Sequence, residues 1–446
     1  MKTPFRPNLN RSGELSVLSN RTFLALWSTQ AVTQTAQNVV NFSLLALVQS
    51  LTGSSAQVAL IILSFTLPAV IFSTLAGVLV DRWDKQRVMV ISTIVRGAAV
   101  GSFIVVDSPS HMPWVYISCF VFATAAQFFA PAEGAIIPRL VGAGHLIAAN
   151  SLFNLTFMAS QFLGFTVVGW LLIRTIGLQN VFIVVCIAYV CAAGVLALLR
   201  LPTMKAGPLE GALERRYWRE LMEGWRFIVL HRTLLVTIAH LAIANSIYLV
   251  LATLGPAYVE IVLKIRVADL GVLIAPAGIC TLLGFITMGR FARQDNRNTM
   301  IHYGLMGIGF SIMGLALIEP ATRSLTDLTG LPVPLTTVTV LAVLISMNFG
   351  YWTAFVSVPA QTVLQENSPD EIRGRVLSTF FTVSNAVSFF PILLAGAIAD
   401  WLGVLETMIT IGIFILAIGA LSHFSYVRAG RTWEPTPTGR SLAPDH

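Results

Sequence analysis

Twelve runs of mostly apolar residues are strung along this chain, near 23–50, 57–80, 88–106, 113–138, 147–173, 179–200, 233–259, 268–289, 299–318, 335–364, 375–399 and 404–427. Each is long enough, at about 1.5 Å of rise per helical residue, to cross the roughly 30 Å hydrocarbon core of a bilayer. No water is available there to satisfy backbone N–H and C=O groups, so only helices and closed barrels span it. The runs are continuously apolar and lack the alternation of a barrel strand. The expected fold class is therefore an all-α membrane protein with twelve transmembrane helices. Composition agrees: 55% of the 446 residues are hydrophobic and 11% charged, where soluble domains carry about a quarter charged residues. The net charge of +7 forms no basic tract or face, so a lipid bilayer is the expected partner and nucleic acid is not.

The basic residues report topology. With the N-terminus inside, 23 of the 28 Lys and Arg residues fall on the inner side, while Arg174, Lys264, Arg266 and Arg323 fall outside and Arg96 lies within a span. Such a bias places both termini in the cytoplasm of a multi-pass plasma (inner) membrane protein. The polar N-terminal tail precedes a run too long for a signal peptide and is expected to be retained.

Residues 201–232 form the longest loop and divide six helices from six. The halves echo one another. Asn20-Arg21-Thr22 corresponds to His231-Arg232-Thr233, Leu67-Pro68-Ala69 to Ala275-Pro276-Ala277, and Pro131-Ala132-Glu133 to Pro359-Ala360-Gln361. A duplicated six-helix unit follows, the parallel repeat that in transporters carries substrate where the repeats meet. The expected organisation is an N-terminal tail (1–22), a six-helix bundle (23–200), a linker with an amphipathic helix (201–232), a second bundle (233–427) and a C-terminal tail (428–446). In the linker, Leu213, Trp218, Leu221, Trp225 and Ile228 alternate with Arg215, Arg216, Arg219 and Arg226 as in a helix lying on the inner leaflet.

Between the second and third runs stand Asp81, Arg82, Asp84, Lys85 and Arg87 within seven residues. The stretch Gly77-Val78-Leu79-Val80-Asp81-Arg82-Trp83-Asp84-Lys85-Gln86-Arg87 resembles the signature between helices 2 and 3 of the major facilitator superfamily, with Asp84 where glycine is commonest. An aspartate there is frequent in the efflux branch that includes macrolide exporters and the enterobactin exporter. Phe129-Ala130-Pro131-Ala132, Ile137-Pro138-Arg139-Leu140-Val141, Glu223-Gly224-Trp225-Arg226-Phe227, Ser368-Pro369-Asp370-Glu371-Ile372-Arg373-Gly374-Arg375-Val376 and Ala395-Gly396-Ala397-Ile398-Ala399-Asp400 point to the same branch. The resemblance covers residues 18 to about 427. It implies two pseudo-symmetric six-helix bundles, the major facilitator fold, and secondary-active export of amphipathic, drug-like or siderophore-like molecules by alternating access, in antiport with protons.

The residues themselves suggest how the hairpin acts. Ser368-Pro369-Asp370-Glu371 reads as a capping box opening helix 11, with Ser368 as N-cap, Pro369 at N1 and Glu371 at N3. A carboxylate at Asp81 can sit against that positive helix end, an interaction of about 0.3 to 1 kcal/mol and up to ~2 when partly buried. In the superfamily such a contact resembles a latch favouring the outward-open state, here drawn from Gly77, Asp81, Arg82, Arg87, Ser368, Glu371 and Arg375. The alternative is a plain positive-inside loop. The second half carries Met288 at the position equivalent to Asp81, so the latch is one-sided, and Asp81 is expected to matter more than Met288.

Charges inside the bilayer cost about 2.5 to 3.5 kcal/mol near mid-depth and mark sites or need partners. Arg96 lies roughly 13 Å up helix 3 from Arg87, and Glu133 roughly 9 Å up helix 4 from Arg139. Glu133 is expected either to titrate beside Arg96, the proton being the coupling partner, or to form a fixed ion pair. His240 is a further titrating candidate, or a hydrogen-bonded packing residue. Asp400 and Glu260 sit at outer helix ends, where solvation is expected.

The resemblance implies a cavity lined by helices 1, 4, 7 and 10. On helix 1, Gln30, Gln34, Gln37, Asn38 and Asn41 share one face, and an amide stripe in lipid lines water or glues helices. Gln127 on helix 4, Asn245 and Tyr248 on helix 7, and Asn348, Trp352 and Phe355 on helix 10 complete the candidates for a small-molecule substrate. Amides among aromatics suit a bulky neutral or cationic solute. Two departures limit proton coupling: the helix 5 antiporter motif appears only as Gly164-Phe165-Thr166-Val167-Val168-Gly169-Trp170, without its proline, and helix 1 has no acidic residue.

No Walker lysine, metal-ligand spacing or catalytic triad stands out, so neither an enzyme nor a cofactor or metal is expected. Cys119, Cys186, Cys191 and Cys280 lie in apolar runs as small core residues. The chain is expected to work as a monomer. A lipid or lysolipid transporter, or a non-transporting sensor on the same fold, is the alternative function.

Overall fold

The computed structural model describes residues 19–141, 145–199, 201, 222, 225–226, 228–291, 297–366 and 373–428. Twelve long helices run through them and no strand occurs among them: α1 (Arg21–Thr52), α2 (Ser55–Arg82), α3 (Lys85–Gly101), α4 (Met112–Val141), α5, α6 (Leu178–Leu198), α7 (Arg232–Ile261), α8 (Gly271–Phe291), α9 (Arg297–Thr329), α10 (Leu335–Glu366), α11 (Arg373–Leu402) and α12 (Val404–Arg428). Helix α5 is built of Leu146–Phe162, a wider π-helical turn at Leu163–Val168, and Gly169–Ile176. Among the described residues, eleven helices are long and apolar enough to cross a membrane. The exception, α1, has 32 residues but carries the amide stripe, which lowers its hydropathy.

Helix ends follow local chemistry. The Asn20 side chain accepts from the N–H groups of Thr22 and Phe23 at 3.1 and 3.2 Å, opening α1, and Asp84 caps α3 by accepting from the Arg87 N–H at 2.8 Å. Single-residue links at Gly177 (φ +84°) and Gly403 (φ +107°) reverse the chain between α5 and α6 and between α11 and α12, a left-handed or mirror-β backbone that glycine adopts at least cost. Helix α9 continues well past the expected 318, because the ion pair of Arg323 with Glu319 one turn earlier supports its polar extension.

Close contacts group Met1–Leu47 and Ser64–Glu210 into one unit, and Val48–Leu63 with Gly211–His446 into the other. The turn between α1 and α2 thus groups with the second unit, although its helices belong to the N-terminal half of the sequence. In the first unit Leu26, Val80, Met89, Phe129, Ile136 and Leu196 form one buried cluster, and Phe23, Ile137, Ala149 and Phe153 another. The second unit uses glycines for close helix contacts, as where Gly309 on α9 lies against Leu416 on α12.

The π turn places Gly164 directly on α1: a Cβ there would lie 2.8 Å from both the Asn38 Cβ and the Thr35 carbonyl oxygen. Gly164→Val is expected to push α5 off α1 at a cost of about 1–3 kcal/mol, seen as a lower melting temperature of the purified protein, while Gly134→Val, where no atom lies within 4 Å, leaves it little changed.

The linker residues Leu213, Arg215, Arg216, Trp218, Arg219 and Leu221, the tail beyond Arg428 and the box Ser368–Glu371 lie outside the described residues. Of the linker, Ile228 is fully buried, while Trp225, Val229 and Leu230 are exposed.

Candidate transport site

Arg96 on α3 and Glu133 on α4 are both within the first unit, only 3% and 6% exposed. A charge that deep requires partners, and those of Arg96 come from three other helices. Its Nη2 donates to the Gln37 Oε1 at 2.7 Å and to the Tyr189 hydroxyl at 2.6 Å. Its guanidinium lies 4.9 Å from the Phe122 ring centre and 4.7 Å from that of Tyr189, a cation–π arrangement that strengthens when desolvated. Tyr189 passes its own hydroxyl hydrogen to the Thr33 carbonyl at 3.1 Å. Arginine suits this place because its planar fork donates and stacks at once.

Glu133 stands close enough to Arg96 for their charges to interact. The two share no hydrogen bond, and the Glu133 Oε1 is buried without a hydrogen-bond partner among the described residues. The expected alternative of a fixed ion pair is thus not the arrangement found. Neutral acceptors and aromatic faces hold Arg96, and Glu133 keeps a carboxyl oxygen available to a proton.

The α1 stripe divides between two tasks. Asn38 is interhelical glue, donating to the Gln34 carbonyl at 2.9 Å and to the Ser160 carbonyl of α5 at 3.3 Å, and Gln37 serves Arg96. The Gln30 Oε1 and Asn41 Oδ1 are buried acceptors with no partner among the described residues, capacity that a polar ligand group or water can use. Gln34 is half-buried, as is Gln127 on α4.

In the second unit the α10 stripe turns toward α9. The Asn348 Oδ1 accepts from the Ser311 hydroxyl at 2.9 Å; Trp352 seats on Gly307 and Phe355 on Gly304, and their rings meet at a tilt of 59°, 4.7 Å between centres. Asn348, Trp352 and Phe355, expected to form a substrate surface, thus also pack on α9, whose small residues recur at matching spacing, and Trp352 and Phe355 stay half-buried. Asn245 donates to the Ser388 hydroxyl of α11 at 3.3 Å. Tyr248 remains 48% exposed, the one aromatic candidate with an open face.

His240 bonds the Ser422 hydroxyl of α12 at 2.9 Å, the packing reading, in a small row of imidazoles. Its ring centre is 5.5 Å from that of His302 on α9, and His302 is 5.9 Å from His423 on α12. These line or flank a cavity of about 390 Å³ with Thr237 and Asn298. No group able to hold a metal ion occurs among the described residues.

Among the described residues the chain combines long apolar helices with a buried charged centre, and a family model described as Major Facilitator Superfamily matches residues 26–391. The chain belongs to this superfamily. It is 25% identical over 381 residues to the multidrug efflux pump Tap of Mycolicibacterium fortuitum, covering 83% of this chain and 88% of that one. It is 22% identical over 404 residues to macrolide efflux protein A of Streptococcus pyogenes, covering 89% and 94%. Among solved structures, the nucleoside transporter NupG matches with a TM-score of 0.70 at 12% identity, over 93% of this chain and 100% of that one. The POT family transporter PepTSo matches with a TM-score of 0.66 at 12% identity, over 93% and 99%. At these identities the two structures speak to the fold. As a major facilitator protein the chain is a multi-pass membrane transporter of small molecules and not an enzyme.

The signature hairpin of this major facilitator protein caps helices. The Lys85 ammonium donates to the carbonyls of Val80, Asp81 and Trp83 at 2.7, 2.7 and 3.2 Å, satisfying the C-terminal end of α2. Gln86 does the same for α6 through Leu196 and Leu199 at 2.9 and 2.5 Å. Lys85 thus bonds the main-chain carbonyl of Asp81 and not its carboxylate. Asp81, Arg82 and Arg87 are exposed and Gly77 has open space beside it. Ser368 and Glu371 lie outside the described residues, and of Arg375 only the helical backbone is described. Sequence reasoning missed Tyr189, Phe122, His302 and His423. Each is a single aromatic residue in an apolar run, without a local pattern to mark it.

Proposed function

We propose that this transporter exports amphipathic, neutral or singly cationic drug-like or siderophore-like molecules across the plasma membrane by alternating access, in exchange for protons. The buried Arg96–Glu133 centre carries the reading. With Glu133 ionised the pair is neutral; with a proton on Glu133 the net charge is +1. Proton uptake thus changes the field felt by a solute near the α1 acceptors Gln30 and Asn41, and it disfavours a cation there. That is what exchange requires: the two cargoes oppose each other at one site. Relatives named for multidrug and macrolide efflux support the solute class. The Lys and Arg bias supports cytoplasmic termini, and a single chain contains the whole proposed apparatus.

The test is accumulation of a cationic dye and of a macrolide in cells stripped of their own pumps, with and without an uncoupler. Cells making the protein are expected to hold several-fold less probe, roughly a 1 kcal/mol bias in steady state, and the uncoupler is expected to erase the difference. Export indifferent to the uncoupler removes the proton step. No effect on any soluble probe favours a lipid transporter or a sensor.

A further inference from the structure

We propose that Asp400, at the C-terminal end of α11, is a positioning residue of the transport cycle that holds the α1–α2 turn closed by completing the N-terminal cap of α2. A helix begins with four N–H groups lacking partners inside the helix. In α2 the Ser55 N–H donates to the Asp400 Oδ1 at 2.7 Å and the Ala56 N–H to its Oδ2 at 3.2 Å. The Gln57 N–H donates to the Ser54 hydroxyl oxygen at 3.2 Å, and the Val58 N–H to the Ser54 carbonyl at 3.3 Å. The Ser54 hydroxyl hydrogen goes to the Asp400 Oδ2. All four donors are satisfied, and half of the cap comes from a residue more than 340 positions away.

The surroundings are shaped for this contact. Gly396, one turn before Asp400, lies so close that a Cβ would stand 2.8 Å from the Ser55 carbonyl oxygen and 3.0 Å from the Ala56 Cα. A second acid acts on the same turn, since Glu260 at the end of α7 accepts from the Gln49 side chain at 3.2 Å. Asp400 is itself exposed, so water can replace its carboxylate on the released N–H groups. A contact at the water's edge is reversible, where a buried one would leave orphan donors. Its strength comes from charge assistance and from the positive end of α2.

The role of Asp400 in a transport cycle rests on the alternating-access reading above; the clamp itself does not.

The test places a reporter at Ser55, which is 2% exposed, as Ser55→Cys in the full chain with its four native cysteines replaced by alanine. Alkylation by a membrane-impermeant maleimide is measured on right-side-out vesicles. Asp400→Asn is expected to raise the rate roughly tenfold, the factor that losing one charged hydrogen bond brings, and Asp400→Glu, which keeps the charge, to restore most of the protection. Should Asp400→Asn fail to accumulate, Ser54→Ala must raise the rate in the same direction. Equal rates with Asp, Asn and Glu at 400, or no change with Ser54→Ala, overturn the clamp. Faster alkylation without uncoupler-sensitive export keeps the clamp and overturns the proposed function.

Discussion

Glu133→Gln is expected to leave the transporter folded and in the membrane, yet to bring uncoupler-sensitive export down to the level of cells without the protein. Glutamine matches the carboxyl in shape, and among the described residues the Glu133 Oε1 has no hydrogen bond to lose. Arg96 stays anchored through Gln37, Tyr189 and Phe122, so the change should cost no more than about 1 kcal/mol of stability. What disappears is the alternation of the site between net charge 0 and +1. Arg96→Met separates the structural role from the coupling role. It removes two charged hydrogen bonds worth about 1.5–3 kcal/mol each and is expected to lower thermal stability as well as transport. Accumulation assays paired with melting curves of the purified variants check both. Full uncoupler-sensitive export by Glu133→Gln would remove the proton role from this residue.

The helices were readable because the bilayer imposes one rule on every residue of a span, and the rule is local. The site was readable only where cost alone marks a residue, as for Arg96 and Glu133, whose charges stand out in apolar runs. Partner choice is not local. Tyr189 lies 93 residues from Arg96, and nothing around it in α6 sets it apart from a packing tyrosine. The α1 stripe had the right period, but glue and acceptor residues share one arc, and only the approach of Gly164 separates Asn38 from Gln30. The α10 stripe shows the converse: Asn348, Trp352 and Phe355 repeat at helical spacing, and so do Ser311, Gly307 and Gly304 on α9. Matching the two patterns was the available signal that the stripe packs. Asp400 was read as a solvated helix end because exposure and bonding look alike in sequence; here it is exposed and bonded together.

Asp81→Asn is expected to cut transport about tenfold or more, while Met288→Leu at the equivalent position of the second half leaves it near the unsubstituted level. The proposed latch sets the Asp81 carboxylate against the start of α11, and losing a charge there forfeits up to ~2 kcal/mol, a population shift of about thirtyfold. The C-terminal end of α2 should survive, because Lys85 caps it through main-chain carbonyls rather than through the carboxylate. Leucine is the right control: Met288 is only 2% exposed, so asparagine there would bury an amide and lower stability for an unrelated reason.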